Sequence, residues 1–97
     1  MIVSFAGAGT EDVFNGRDTR AARRSCPSAL WRVARRKLDQ LNAATRLETL
    51  SVPPGNRLEA LSGDRAGQHS VRVNDRYRLC FTWREAGAQA VEIVDYH

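Results

Sequence analysis

The chain has 97 residues, which points to one domain spanning residues 1–97, with a small core and a modest margin of stability. Hydrophobic residues make up 42%, an ordinary globular share that argues against wholesale disorder, and no apolar run approaches the length of a membrane span. The charge balance is 15 Lys and Arg against 11 Asp and Glu, a net +4, which opens the way to anionic partners.

Ile2-Val3-Ser4-Phe5 is a short β-prone run, followed by an Ala6-Gly7-Ala8-Gly9 loop. Met1 to Phe5 is too short for a signal-peptide core, so a cytoplasmic protein is expected. Thr10 with Glu11 and Asp12 opens a short helix containing Val13 and Phe14, because carboxylates in a first turn favour the helix dipole. Arg17, Arg20, Arg23 and Arg24 then stand against one acid, Asp18. That stretch is either a solvated basic segment or a docking surface for phosphate.

The clearest helix starts near Pro27-Ser28, with Leu30, Val33, Ala34, Leu38 and Leu41 recurring at helical spacing. Trp31 flanks this face, while Arg32, Arg35, Arg36 and Asp39 fall elsewhere, and Asn42 closes the helix. Thr45 to Glu48 has the capping-box pattern and predicts a helical turn stopped by Pro53-Pro54, with Gly55-Asn56 turning into the second half.

The second half reads as β. Expected strands are Arg57 to Leu61, His69 to Val73, Tyr77 to Trp83 and Ala90 to Asp95, with a glycine-containing loop from Ser62 to Gly67. A three-residue hairpin loop, Asn74-Asp75-Arg76, sets Val73 opposite Tyr77, Val71 opposite Leu79 and His69 opposite Phe81 on one face. A two-residue loop would place Val71 against Arg78 and mix core with charge. The same register sets Phe81 opposite Val91, Leu79 opposite Ile93, and Arg72 opposite Arg78 on the other face, which Tyr96 continues. Like charges opposite one another need a carboxylate neighbour, for which Glu92 lies on the right face, or a phosphate ligand.

Lys37 is the only lysine; every other base is arginine, whose planar fork fits phosphate bidentately. Genome-wide codon usage would produce the same composition. Cys26 and Cys80 lack metal-ligand spacing and read as free thiols, so no zinc site is expected. The chain ends Asp95-Tyr96-His97: an acid, a phenol and an imidazole together, or a solvated tail. RNA cleavage by an adjacent 2′-hydroxyl needs a base, a cation for the charged transition state and an acid for the leaving oxygen. Glu59, Arg72, Arg78, Asp95, Tyr96 and His97 supply those types.

Three ordered stretches bear on the choice: Pro54 to Arg65 (PGNRLEALSGDR), Val71 to Arg78 (VRVNDRYR) and Glu92 to His97 (EIVDYH). They resemble the signature of HigB toxins, the plasmid-maintenance killer branch of the RelE/ParE superfamily, and Ile2 to Phe5 resembles its opening. The resemblance implies an α+β, RelE-like fold, with an N-terminal strand and a helical hairpin packed on a small, mostly antiparallel sheet. It implies a metal-independent, ribosome-dependent endoribonuclease that cuts mRNA in the decoding site and uses no cofactor. The implied partners are a helix-turn-helix, HigA-like antitoxin, the ribosome and mRNA, with operator DNA reached only through the antitoxin and no membrane. Asp95, Tyr96 and His97 match the family's terminal active-site residues, and Arg78 matches its phosphate-contacting sheet arginine. Glu59 stands where some relatives carry an acid-base histidine, and completes the catalytic set. Arg57, Arg65, Arg72 and Arg76 lie within the matching stretches and are assigned to RNA or ribosome contact. Ser62 replaces a common lysine, and His69 a common aromatic. A ParE-type gyrase inhibitor and a catalytically silent RNA- or antitoxin-binding domain remain alternatives on the same fold.

Overall fold

The computed structural model describes residues 1–96 and has an α+β architecture, with helices first and an antiparallel sheet after them. Helices α1 (Ala8–Phe14), α2 (Arg20–Ser25) and α3 (Trp31–Ala43) precede strands β1 (Glu59–Ala60), β2 (His69–Arg72), β3 (Tyr77–Arg84) and β4 (Gly87–Asp95). The strands lie in the order β1-β2-β3-β4, each antiparallel to its neighbour.

Helix α1 starts two residues before Thr10. The Thr10 hydroxyl is buried and accepts a hydrogen bond from Ile93 N at 2.9 Å, so Thr10 serves the sheet rather than the helix end. Thr19 caps α2 by accepting from Ala22 N. In α3 the expected stripe goes inward: Ala34, Leu38 and Leu41 are buried against the sheet. The helix ends at Ala43, and the Asn42 side chain accepts from Ile2 N at 2.9 Å.

The capping box does not form. Residues Leu47–Ser51 make a 3-10 helix preceded by Arg46, and Glu48 receives Arg46 Nε at 2.9 Å instead of reaching back to Thr45. Pro53 follows too soon for a full α-turn, and the backbone closes with Thr49 N to Arg46 O and Val52 N to Thr49 O, both 3.3 Å. Asn56 ties this segment to α3. Fully buried, it donates to Gln40 Oε1 (3.0 Å) and Leu50 O (3.1 Å) and accepts from Lys37 Nζ. Asn56→Ala strands these groups and is expected to lower stability by about 1–3 kcal/mol. Urea unfolding would show this as a lower midpoint at unchanged slope; an unmoved midpoint would mean the lock contributes nothing.

The β2–β3 hairpin has the predicted register: His69 opposite Phe81, Val71 opposite Leu79, and Arg72 opposite Arg78. Its loop is held by the Asn74 side-chain oxygen, which accepts from Arg76 N (2.9 Å) and Tyr77 N (2.8 Å). Two strands differ from expectation. Strand β1 is only two residues long, because Arg57 adopts a left-handed conformation (φ 47°) that breaks the extended run. Strand β4 begins at Gly87, not Ala90. Leu79 faces Ile93 as expected, but the register shifts between Cys80 and Thr82, and Ala90 (φ 52°) lies in a bulge across from Phe81, so the simple Phe81–Val91 pairing is lost.

The outer edge of β4 is covered by the N-terminal residues, which run parallel to it through isolated bridges, Ile2 to Ala88 and Phe5 to Val91. Val3 N donates to Ala88 O (2.7 Å), Ala88 N to Met1 O (2.9 Å) and Val91 N to Ser4 O (3.0 Å). The edge's backbone groups are thus satisfied instead of presented to another chain. Gly87 permits the approach: its φ is 129°, and a Cβ there would sit 2.1 Å from Met1 O.

The core lies between the helices and one face of the sheet. Val13, Leu38, Leu41, Leu50, Val71, Leu79, Phe81, Val91 and Ile93 are buried there. Strand alternation therefore sends Arg72, Arg78, Glu92 and Val94 to the opposite face.

Candidate functional site

Arg72 and Arg78 stand directly opposite one another on that second face. The repulsion between like charges is answered by carboxylates, though not by Glu92. Arg72 pairs with Asp75 of the hairpin loop, whose side chain is 97% exposed, so water screens the pair. Arg78 Nη1 lies 3.5 Å from Glu59 Oε1 on β1. Glu92 instead faces Arg65 Nη2 at 3.6 Å, and Arg65 also donates to Gln68 Oε1.

Arg78 is the centre of the arrangement. Its side chain is only 14% exposed. Nη2 donates to Arg57 O at 2.7 Å, which the left-handed turn at Arg57 makes reachable. Its guanidinium carbon lies 5.7 Å from the centre of the Tyr96 ring, within cation–π range. Its Nε is buried and has no hydrogen-bond partner among the described residues. Arg57, Arg72, Asn74, Asp75 and Arg78 line one open cleft of about 270 Å³. Three arginines lining one opening suit an anion such as a phosphodiester.

Ser70 and Cys80, opposite one another in β2 and β3, are buried on the same face as Arg72 and Arg78. Burial pushes the Cys80 thiol up from its ordinary pKa, with Arg65 opposing, Glu92 adding and Arg78 opposing. Cys26 is also free and buried. Lys37, next to Asn56, is pushed down by burial and then by the positive charges of Arg36 and Arg72.

The sequence-predicted residues do not all converge. Glu59, Arg57, Arg72, Arg78 and Tyr96 come together around the cleft. Arg65 lies on the same face but is turned to Glu92 and Gln68. Asp95 pairs in the ladder with Tyr77, so alternation directs it away from the Arg78 face. There it receives Arg76 Nε (2.9 Å) and Nη2 (2.8 Å), and this pair raises the Arg76 pKa. Arg76 also accepts Tyr96 N at its carbonyl, 2.7 Å away, so the hairpin loop clasps the end of β4. His97 lies outside the described residues. Asn74 and Asp75 line the cleft although sequence reasoning treated them only as turn residues; the turn chemistry of Asn74 was the available signal. Among the described residues no group of three or more His, Cys, Asp or Glu gathers as a cation site, and no helix is long and apolar enough to cross a membrane.

Comparison with known proteins bears on this geometry. A family model described as a HigB-like toxin, the RelE-like toxin of the type II toxin-antitoxin system HigB, matches residues 3–97. Toxin HigB-1 of Vibrio cholerae serotype O1 is 47% identical over 60 residues, 62% of this chain and 63% of that protein. An uncharacterized protein of Haemophilus influenzae is 40% identical over 57 residues, 59% of this chain and 56% of its own. Both alignments thus span less than two thirds of the relative's length. The solved YoeB-YefM complex from Staphylococcus aureus contains a chain that superposes with a TM-score of 0.54, covering 100% of this chain and 98% of that one. At 14% identity this likeness speaks for the fold alone.

Proposed function

The chain belongs to the HigB-like family of RelE-like toxins, and from that premise we propose that it is a ribosome-dependent endoribonuclease that cleaves mRNA in the decoding site. The observation that carries the reading is the arginine cleft. A half-buried Arg78, whose buried Nε has no partner among the described residues, faces the same opening as Arg57 and Arg72, with Glu59 3.5 Å away and the Tyr96 ring above it.

In this reading the scissile phosphate sits on Arg78, flanked by Arg57 and Arg72. Glu59 takes the proton of the 2′-hydroxyl. The 2′-oxygen attacks the adjacent phosphorus, the bond to the 5′-oxygen breaks, and that oxygen leaves with a proton from His97, whose residue type suits transfer near neutral pH. The products are a 2′,3′-cyclic phosphate and a 5′-hydroxyl. The guanidinium groups hold the nonbridging oxygens as charge builds on them. Tyr96 stacks on a neighbouring base. Asp95 contributes by holding Arg76, and so the end of β4, in place. Arg65 and Arg76 face ribosomal or messenger RNA at the margin. The protein works as a single domain in the cytoplasm, without metal or cofactor, and a helix-turn-helix antitoxin neutralises it and carries it to operator DNA.

Primer extension on a defined mRNA, with and without programmed ribosomes, tests this. Cuts are expected only with ribosomes, and a protein lacking Tyr96 and His97 is expected to make none while still unfolding cooperatively, several degrees below the parent for loss of the Tyr96 N bond to Arg76 O. Full activity in that truncated protein would remove the terminal residues from the mechanism. No cut by the folded parent in either sample would overturn the ribonuclease reading.

A further inference from the structure

A second cleft, of about 520 Å³, opens on the helical side of the fold, between the α1–α2 connection and α3. It shares no lining residue with the arginine cleft. Val13 and Trp31 give it an apolar part, and Arg17, Arg32, Arg35 and Arg36 give it positive charge. Arg17 is engaged with Asp12 at 3.4 Å, but Arg32, Arg35 and Arg36 are in no ion pair among the described residues. Asp18, at the rim, is taken up by Arg23.

The shape is held from both sides. Trp31 Nε1 donates to Cys26 O at 3.1 Å, which fixes the half-buried indole as a wall. Gly16 has φ 72°, and a Cβ there would sit 2.8 Å from Arg35 Nη1, so the guanidinium lies directly over the loop backbone. Helix α3 thus turns its apolar stripe to the core and a row of arginines in no ion pair with the described residues, with an aromatic wall beside them, to the outside.

We propose that this groove binds an acidic, amphipathic peptide segment of a partner protein. An apolar side chain of the peptide seats against Val13 and Trp31, and its carboxylates accept from Arg32, Arg35 and Arg36, each able to donate a bidentate pair of hydrogen bonds. RNA would also bring anions to these arginines. Two features favour the peptide: the Trp31 ring is partly covered and its N–H is spent, leaving a hydrocarbon surface instead of an open stacking platform, and Asp39 lines the same cleft. That carboxylate can accept a backbone N–H of the peptide, and it opposes a sugar-phosphate chain, charged at every unit, more than a peptide whose carboxylates are spaced by apolar residues.

Trp31 itself can report the event. In the full-length Trp83→Phe protein, Trp31 is the remaining tryptophan. The probe is a 12-residue, Glu-rich peptide with leucines at helical spacing, titrated against Trp31 emission without ribosomes, so the outcome is independent of the ribonuclease reading. The expected result is a saturable change, with affinity at least about tenfold weaker after Arg32→Glu and Arg36→Glu together, as befits the loss of two charge-assisted hydrogen bonds. Both arginines are exposed, and a thermal melt checks that the double variant folds. Arg57→Ala with Arg72→Ala, which empties the other cleft of two charges, is expected to leave peptide affinity unchanged. A flat titration, or binding that survives the charge reversal, would overturn the proposal. So would an oligouridylate of equal charge that gives the same saturable change, which would make the groove a nucleic-acid contact.

Discussion

Replacing Arg78 by alanine is expected to slow ribosome-dependent cleavage by about 100- to 1,000-fold, the usual effect of removing one preorganised donor from a developing charge. Arg78 is the predicted phosphate ligand that the fold holds most firmly. It is 14% exposed, bonded to Arg57 O at 2.7 Å, 3.5 Å from Glu59, and covered by the Tyr96 ring. Arg78→Lys keeps the charge but loses the fork and the bond to Arg57 O, so it is expected to recover only part of the rate. Single-turnover cleavage on programmed ribosomes gives the numbers. A thermal melt separates chemistry from folding, because Glu59 is already 53% exposed to water beside Arg78, so alanine at 78 strands no buried charge. A rate equal to the parent's in the folded Arg78→Ala protein would take Arg78 out of the mechanism. Arg72→Ala is expected to cost less, since its pairing with Asp75 lies at the exposed edge of the cleft.

Phe81→Ala carries the largest expected effect on stability. Phe81 is fully buried in β3, beside the register shift, and its ring stacks with His69 at 6.4 Å between centroids. Truncation of a buried aromatic costs about 3–5 kcal/mol, the transfer term plus the cavity left behind. Small domains have roughly 5–15 kcal/mol in all, and a chain of this size sits toward the lower end. At roughly 4–8 °C per kcal/mol, the melting temperature is expected to fall by more than about 12 °C. Phe81→Leu keeps most of the volume and is expected to lose far less. Differential scanning calorimetry decides it; equal midpoints for parent and Phe81→Ala would mean that the core closes around the missing ring.

Much of this protein is legible in its alternating and helical patterns. The α3 stripe and the register of the β2–β3 hairpin follow from which residues must leave water, and that requirement is written locally in the chain. The same register placed Arg72 and Arg78 side by side and put Tyr96 on their face, which the ring contact with Arg78 bears out. The stretches Pro54 to Arg65, Val71 to Arg78 and Glu92 to His97 carried the family resemblance, and the match over residues 3–97 confirms it.

What the patterns could not carry is the pairing of residues far apart in sequence. Ile93 N finds Thr10 across 83 positions, and Arg78 finds the carbonyl of Arg57 across 21. Two local irregularities decide where chains meet: the left-handed turn at Arg57 and the bulge at Ala90, both at residues other than glycine. The capping box failed for a related reason, since Pro53 and the buried amide of Asn56 dictate the path of residues 47–56 more strongly than a local cap. The side chain of Asp95 went to Arg76 because alternation sets its face, while only the closed hairpin loop supplies the cation waiting there. The sequence by itself therefore determined which apolar faces of α3 and the hairpin turn inward, which strands pair in the hairpin and which family the chain resembles, because those depend on short-range periodicity and on motif order. Only the tertiary structure decided which arginine meets which carboxylate, how the edge of β4 is covered, and that the arginines of α3 line a cleft beside a tryptophan, because those depend on loop closure between segments that share no local pattern.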